Sequence, residues 1–410
     1  MSESSCLIAP ESEGGDGCSS PRGHFRPLKI AILGTRGIPA SYGGFETFAQ
    51  EISHELVQRG HSVVVYCRRP FLKSTAEELA EYNGVELRYV PTFYHKYLET
   101  VVHSLFSFVH VLLNPVDIVL LCNAANSPWS FLAKLRGIPV AVNLDGIERK
   151  RGKWNLFGRT WYSLGEICSV WFARELVADA EVIASYYKDR YAADSHVIAY
   201  GARCRRSSAT QVVSELGLKP QNYLLYVSRL EPENNALGVI EAYSRVQTNV
   251  PLVIVGDAPY ADEYKAKLRA AADERVVFAG YQFGSAYHEL QSNAYAYIQA
   301  TEVGGTHPAL VEAMAYGNCV IANGTPENHE VLGDAGLYYE RNQFEQLADL
   351  MRHVLADPGA VQAWGVKAQN RAAAHYTWEK VATQYEELFN YMTCDYEYAS
   401  TRTGHRQLVD

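Results

Sequence analysis

Residues 28–47 read LKIAILGTRGIPASYGGFET, and this stretch decides the fold. Its first six residues are a short, mostly apolar run of the kind that forms a buried strand in a parallel sheet. The run ends at Gly34, and a helical pattern follows from about residue 45 to residue 59. A second apolar run at 62–66 completes a strand–loop–helix–strand unit, which predicts a parallel α/β sheet.

The same alternation continues along the chain. Further strands of a first domain, residues 28–200, are predicted at 85–90, 117–121, 140–143, 182–184 and 196–199. A polar stretch predicts a linker at 201–220, and a second domain, 221–392, is predicted with strands at 223–228, 252–255, 276–279, 296–299, 320–322 and 337–339 and a last helix at about 378–392. Residues 1–27 are expected to be a disordered tail and residues 393–410 a flexible one.

The predicted fold is therefore α/β, with two Rossmann-like doubly wound domains facing a central cleft. Open sheets of this kind bind ligands beyond the carboxyl ends of their strands. Two such domains would place two sets of strand-end loops around one ligand.

Bulk properties narrow the function class. The 410-residue chain carries a net charge of −9, which argues against a general nucleic-acid binder. Its eight cysteines include no CxxC pair and are predicted to be reduced, as in a cytoplasmic protein. No apolar run reaches the roughly 18–20 residues of a membrane span. The acidic, Ser/Gly-rich start does not resemble a secretory signal.

The first glycine loop contains Gly43 and Gly44 immediately before the first helix. Paired glycines at a helix N-terminus let backbone amides approach an anion, so both are donor-binding candidates; a tight turn without a ligand is the alternative. The loop lacks the GxGxxG spacing, which argues against a dinucleotide cofactor.

The segment 226–235, YVSRLEPENN, places Arg229 at the end of a predicted strand. A permanent cation there can hold a diphosphate with forked hydrogen bonds and stabilise it as a leaving group without a metal. By itself, an arginine after a strand is more often a surface ion-pair partner.

The loop at 301–317, TEVGGTHPALVEAMAYG, is the most informative. The amides of Gly304, Gly305 and Thr306 are expected to face an anion in the cleft. Glu312, about one turn into the next helix, can accept two hydrogen bonds from a ribose diol; the alternative is a glutamate favoured by the helix dipole.

The segment 142–154, VNLDGIERKRGKW, follows another predicted strand. Asp145 is a catalytic candidate that would accept a hydrogen bond from the transferred sugar or the acceptor. The residues after it are predicted to bind an anionic, lipid-linked acceptor: Glu148, Arg149, Lys150, Arg151, Lys153 and Trp154. A solvated loop followed by a core-packing helix is the alternative.

Together these segments resemble glycosyltransferase family 4, the retaining GT-B enzymes. The shared marks are GG-x-E at 43–46, GH-x-V at 60–63, Arg229, and EAMAYG at 312–317. The stretches GTRGIPASYGGFET, DGIERKRGKW, EPENN and VGGTHPALVEAMA are similar to the rhamnosyltransferase-like branch of that family.

The chain departs from the wider family at three places. The family has two glutamates eight positions apart; Glu312 matches the second, but the first falls on Gly304, with Glu302 nearby and out of register. The usual lysine after the arginine is replaced by Asn234 or Asn235, and both asparagines, together with Glu302, are donor-binding candidates. The usual histidine of the first domain is replaced by Asp145. The resemblance to the branch, which covers these changes, implies altered donor recognition, as a deoxysugar would need.

The expected function is the transfer of a sugar from a nucleotide-sugar donor with retention of configuration. The sugar expected first is L-rhamnose, from dTDP-rhamnose. The acceptor would be a cell-surface polysaccharide or lipid-linked oligosaccharide. We expect no cofactor, no metal and no nucleic-acid partner. The enzyme would act in the cytoplasm, with peripheral contact at the inner face of the membrane. The alternatives are a nucleotide-sugar epimerase, which needs no acceptor, and a non-catalytic sugar-nucleotide or glycan binder; a nicotinamide-dependent oxidoreductase is disfavoured.

Overall fold

The computed structural model describes residues 26–40, 43–69, 79–93, 98–144, 146, 156–204, 206–258 and 261–404, with side chains as far as 393 except at 157. Nearly all of the predicted tail 1–27 lies outside this part of the chain. The described residues form two sheets, each flanked by helices.

The first sheet has eight strands in the order β3-β4-β2-β1-β5-β6-β7-β8, parallel except for β3 against β4. The strands are β1 (Lys29–Leu33), β2 (Ser62–Arg68), β3 (Glu81–Tyr82), β4 (Val85–Val90), β5 (Ile118–Cys122), β6 (Val140–Asn143), β7 (Glu175–Ala178) and β8 (His196–Val197). The helices are α1 (Gly44–Gln58), α2 (Leu98–Leu113), α3 (Phe131–Leu135), α4 (Leu156–Phe172) and α5 (Glu181–Tyr191).

The second sheet has six parallel strands in the order β11-β10-β9-β12-β13-β14. The strands are β9 (Leu224–Val227), β10 (Leu252–Val255), β11 (Val276–Gly280), β12 (Ala296–Gln299), β13 (Cys319–Asn323) and β14 (Leu337–Tyr339). The helices are α6 (Gln211–Glu215), α7 (Ala236–Ser244), α8 (Asp262–Ala271), α9 (Gly284–Ser292), α10 (Pro308–Ala315), α11 (Pro326–Leu332), α12 (Phe344–Ala356), α13 (Pro358–His375) and α14 (Trp378–Gly404).

The central strands are apolar because both faces of each sheet are covered. Every residue of β5, IVLLC, is buried, as is every residue of β10, LVIV. Each sheet reverses its strand order once, between β1 and β5 in the first and between β9 and β12 in the second. Crevices for ligands open at such reversals.

One predicted strand is wrong. Residues 182–184 lie in α5, whose buried residues Ile183 and Tyr187 are spaced by one helical turn. The strand of this region is β7, a few residues earlier. A three-residue apolar run fits a strand and a helix equally well, so the pattern did not separate them.

The sequence predicts that the last helix belongs to the second domain, and this prediction is wrong. The helix, α14, packs with the first domain. Trp378, Tyr385 and Phe389 lie in one core with Phe48 of α1. The Asn143 side-chain amide donates to the Tyr385 hydroxyl at 2.9 Å, which links the end of β6 to α14. The helix also continues to Gly404, where a flexible tail had been predicted from 393.

The chain therefore passes between the domains twice. Ala202 and Thr377 form an isolated parallel β-bridge, so the two passages lie side by side. Part of the predicted linker folds with the second domain, because Val213 of α6 is buried in its core and its amide donates to Glu289 at 2.8 Å.

Candidate functional site

A cavity of about 1000 Å³ lies between the two sheets. Its walls are built largely by the loops that follow the central strands of both domains. Gly34 and Asn123 line it after β1 and β5, and Ser228 and Thr301 line it after β9 and β12. The cavity thus occupies both strand-order reversals at once, where the fold is expected to bind a ligand.

Arg229 forms part of the second-domain wall, directly after β9. Its side chain is 30% exposed, and its guanidinium lies 3.8 Å from the Glu231 carboxylate. Two hydrogen bonds fix the backbone of the loop at 229–234. The Asn234 side-chain amide donates to the Arg229 carbonyl at 2.7 Å, and the Tyr226 hydroxyl donates to the Asn234 carbonyl at 2.6 Å. A fixed cation therefore faces the cavity.

The glycine loop of 304–306 also lines the cavity and is fastened to the first domain. Asp179, fully buried after β7, accepts a hydrogen bond from the Thr306 amide at 3.0 Å. The Thr306 hydroxyl donates to the Asp179 carbonyl. A Cβ on Gly305 would lie 2.1 Å from an Asp179 carboxylate oxygen, so only glycine fits there. The expectation that the Thr306 amide faces an anion in the cavity is corrected, because Asp179 holds it.

Glu312 lines the cavity from α10 and is held by a hydrogen-bonded chain. The Tyr287 hydroxyl donates to Glu312 Oε2 at 2.6 Å, and the Gln291 amide donates to the Tyr287 oxygen at 2.9 Å. Asn318 in turn donates to Gln291 Oε1 at 2.9 Å. Desolvation and the neighbouring Glu312 charge raise the pKa of Tyr287 well above its usual value, so the phenol remains a donor.

Two helix N-termini meet at the cavity. Gly43 and Gly44 line it at the start of α1, and Pro308 lines it at the start of α10. A Cβ on Gly44 would lie 3.0 Å from the Pro308 ring, so the two ends approach each other across the cleft. Both helix dipoles place partial positive charge there, which favours an anionic ligand.

The first-domain wall contains an ion-pair cluster that the sequence analysis missed. The Glu99 carboxylate pairs with Arg68 and lies 3.5 Å from Nε of Arg36. The Arg36 backbone amide donates to Glu46 at 2.9 Å. All four residues line the cavity. Burial lowers the pKa of Arg68, and the Glu99 charge opposes that shift. The cluster can supply fixed hydrogen-bond donors and acceptors to a polar ligand.

Two donor-binding candidates lie elsewhere. Asn235 donates through its side chain to the Ala300 carbonyl at 2.9 Å and to Asn342 at 3.0 Å. Glu302 pairs with Arg341 at 3.2 Å. Among the residues that the structure describes, the cavity lining includes Asn234 but neither Asn235 nor Glu302. Of the two asparagines proposed in place of the family lysine, the first is the one at the site.

Asp145 and the predicted acceptor-binding residues Glu148, Arg149, Lys150, Arg151, Lys153 and Trp154 lie outside the described residues. Gly146, which is described, packs against the glycine loop of the second domain: a Cβ on it would lie 3.1 Å from Cα of Gly304.

The described part of the chain contains no cluster of three or more His, Cys, Asp or Glu side chains able to hold a metal ion. Within the same residues, no helix combines the length and the apolar character that crossing a membrane requires.

The architecture, two parallel-sheet α/β domains around a central cavity, is the GT-B fold. The crystal structure of HepE from Anabaena in complex with UDP-glucose superposes on it with a TM-score of 0.72 at 17% identity, covering 88% of this chain and 99% of that one.

Sequence comparisons also find glycosyltransferases. Residues 210–371 match the family model described as "Glycosyl transferases group 1", and residues 28–203 match a "Domain of unknown function (DUF1972)". The lipopolysaccharide 1,2-N-acetylglucosaminetransferase of Salmonella typhimurium is 26% identical over 234 residues, which are 52% of this chain and 61% of that protein. The O-antigen chain mannosyltransferase B of Escherichia coli is 25% identical over 182 residues, 42% of this chain and 47% of that protein.

The chain thus spans less than two thirds of the length of either relative. The group 1 family model and the glycosyltransferases named above, to which parts of the chain are similar, support a glycosyltransferase enzyme.

Proposed function

We propose that the protein transfers a sugar from a nucleotide-sugar donor to a glycan acceptor. The observation that carries this proposal is the second-domain wall, where Arg229, the N-terminus of α10 and Glu312 line one cavity. A cation and a helix N-terminus suit a diphosphate, and a carboxylate suits a ribose hydroxyl. The first-domain wall, with its ion-pair cluster, then faces the sugar and the acceptor.

The proposed reaction retains the configuration of the transferred sugar. As the bond between the anomeric carbon and the diphosphate oxygen breaks, an acceptor hydroxyl oxygen bonds to that carbon on the same face. Its proton passes to the departing diphosphate oxygen. Arg229 and the start of α10 stabilise the negative charge that the leaving group gains, so the reaction proceeds without a metal.

For the donor we propose dTDP-rhamnose. Gly304 stands where the wider family has a sugar-contacting glutamate, and the motifs are similar to those of the rhamnosyltransferase-like branch. For the acceptor we propose a lipid-linked oligosaccharide or a growing cell-surface polysaccharide. Both curated relatives are named for lipopolysaccharide or O-antigen synthesis, and the basic run at 149–153 suits an anionic acceptor.

Two helices of the first domain support contact with the inner face of a membrane. On α2 and α4 the side chains of Leu113, Leu156 and Trp171 are 74%, 82% and 65% exposed. The only acidic residue of α2, Glu99, is buried against Arg68. Exposed apolar side chains on surface helices without exposed acidic groups suit a lipid headgroup region.

The activity is tested by incubating the protein with a panel of nucleotide sugars, with and without a membrane extract carrying lipid-linked glycans. Donor consumption that needs the extract, survives EDTA and yields a product of retained configuration supports the proposal. Turnover without acceptor identifies an epimerase, and tight donor binding without turnover identifies a binder. Restoration of a chelated enzyme by Mg²⁺ contradicts the metal-free mechanism.

Membrane contact is tested by flotation with vesicles rich in acidic phospholipid. The variants Leu113→Glu and Trp171→Glu should bind the vesicles less than the parent protein. Val366→Glu is the matched control, since Val366 is 53% exposed on α13 of the second domain. Equal binding by all three variants contradicts the assignment of membrane contact to α2 and α4.

A further inference from the structure

The loop at 304–307 brings one imidazole ring to the wall of the cavity. Gly304, Gly305, Thr306 and His307 all line it. The two glycines have no side chain, and the Thr306 hydroxyl donates its hydrogen to the Asp179 carbonyl. An imidazole has two nitrogens that form hydrogen bonds, and a ligand hydroxyl needs only one of them. The ring of His307 is therefore the side chain with which this loop can recognise a polar ligand.

The ring lies over Gly304, and this contact accounts for the glycine. His307 is the N-cap residue of α10, but its side chain does not cap that helix. A Cβ on Gly304 would lie 2.4 Å from Cε1 of the imidazole. A larger residue at 304 would have to displace the ring, so the glycine leaves room for His307 at the cavity wall.

The loop lies where the two domains touch. The Thr306 amide donates to Asp179 of the first domain at 3.0 Å, and a Cβ on Gly146 would lie 3.1 Å from Cα of Gly304. The start of α10, which follows His307 directly, is part of the proposed diphosphate site. A sugar that is joined to this diphosphate and directed towards the first domain therefore passes the imidazole.

We propose that the His307 imidazole forms a hydrogen bond with a hydroxyl group of the transferred sugar. This inference rests on the proposed function, in which Arg229 and the start of α10 hold the donor diphosphate. It adds a residue that binds the sugar itself. His307 should therefore contribute to the affinity for a nucleotide sugar and not to the affinity for the nucleoside diphosphate alone.

The test compares each nucleotide sugar with its own nucleoside diphosphate: dTDP-rhamnose with dTDP, and UDP-N-acetylglucosamine with UDP. Calorimetric titration of the full chain gives the ratio of the two dissociation constants in each pair. His307→Phe keeps an aromatic ring against Gly304 and loses both nitrogens. In this variant the nucleotide sugar should lose about 5- to 10-fold in affinity relative to its diphosphate, which corresponds to one hydrogen bond.

Two further substitutions separate the nitrogens from the shape of the ring. His307→Ala, which places no ring at the site, should show the same loss as His307→Phe. His307→Gln supplies an amide that donates and accepts, and it should restore part of the parent ratio. A role in packing alone predicts the opposite order, with His307→Phe closest to the parent protein.

His288→Phe is the matched control, because His288 is a second histidine that lines the cavity. Its ring stacks on the ring of Tyr316, just beyond the last residue of α10, with 6.2 Å between the centroids. The eight residues of α10 span about 12 Å, so His288 lies at the opposite end of that helix from His307. The ratio in His288→Phe should stay at the parent value.

Equal weakening of the sugar and the diphosphate in His307→Phe shows that the ring serves the diphosphate or the loop, and it overturns the inference while the proposed function stands. An unchanged ratio in His307→Phe, or the same loss in His288→Phe, overturns it in the same way. Failure of both nucleotide sugars to bind the parent protein, or no effect of Glu312→Ala on their binding, contradicts the proposed function itself.

Discussion

Asp179 fastens the glycine loop of the second domain to the first, and replacing it should weaken donor binding. Its carboxylate accepts the Thr306 amide at 3.0 Å. Asp179 is fully buried and Thr306 is 3% exposed, so Asp179→Ala removes a buried acceptor from the Thr306 amide. A buried hydrogen bond to a charged group contributes about 1.5–3 kcal/mol. The Thr306 hydroxyl keeps its bond to the backbone carbonyl of residue 179, so the loop is loosened and not detached. If the donor has to order the loosened loop, this cost corresponds to roughly 10- to 150-fold weaker binding.

A double-mutant cycle isolates this contact. In the parent protein, Gly305→Ala places a Cβ 2.1 Å from Asp179 Oδ1, and the nearest atoms are all in that carboxylate group. Removing the carboxylate makes room, so Asp179→Ala with Gly305→Ala should bind donor as Asp179→Ala alone does. Dissociation constants come from calorimetric titration with the nucleoside diphosphate. Strictly additive effects, or an Asp179→Ala variant with parental or tighter donor binding, would refute the reasoning.

Three further predictions follow from single contacts. Arg229→Ala should lower kcat and kcat/KM together in steady-state assays, and Arg229→Lys should restore activity only in part because the fork of donors is lost. Tyr385→Phe removes the hydroxyl that accepts from the buried Asn143 amide, and it should lower the free energy of unfolding by about 1–3 kcal/mol in denaturant titrations. Burial raises the pKa of Glu330 above its usual 4.5, so stability should fall as pH rises from 4.5 through the raised pKa. Glu330→Gln keeps an oxygen for the Glu181 amide, which donates to it at 2.8 Å, and should remove this fall in melting curves across the acidic range.

The sequence predicted most of the fold because a doubly wound sheet leaves a strong local pattern. Strands such as β5 are buried on both faces and appear as continuous apolar runs between helical stretches. The pattern fails where an element is short, as at β7, or where its partner is distant in sequence. An amphipathic helix such as α14 can bury its apolar side against either domain. Its packing against Phe48 assigns it to the first domain.

Some residues of the candidate site were predicted from the sequence and others were not. Arg229, Gly304 and Glu312 were predicted as candidates because the carboxyl ends of parallel strands meet at one edge of a sheet, and all three line the cavity. Asp179 and Tyr287 were not predicted, since each acts through a partner in another element. No local pattern around either residue indicates that partner.

The return of α14 makes the first domain discontinuous in sequence, with the second domain inserted into it. The entry and exit of the insert lie together at the bridge between Ala202 and Thr377. A domain whose two ends lie side by side can fold when it is expressed without its host. Residues 206–376 are therefore the unit to express separately. The first domain, by contrast, needs the segments on both sides of the insert. A chain terminated after the second domain would lose Trp378, Tyr385 and Phe389 from the core beneath α1, and its damage would appear at the opposite end of the sequence from the cut.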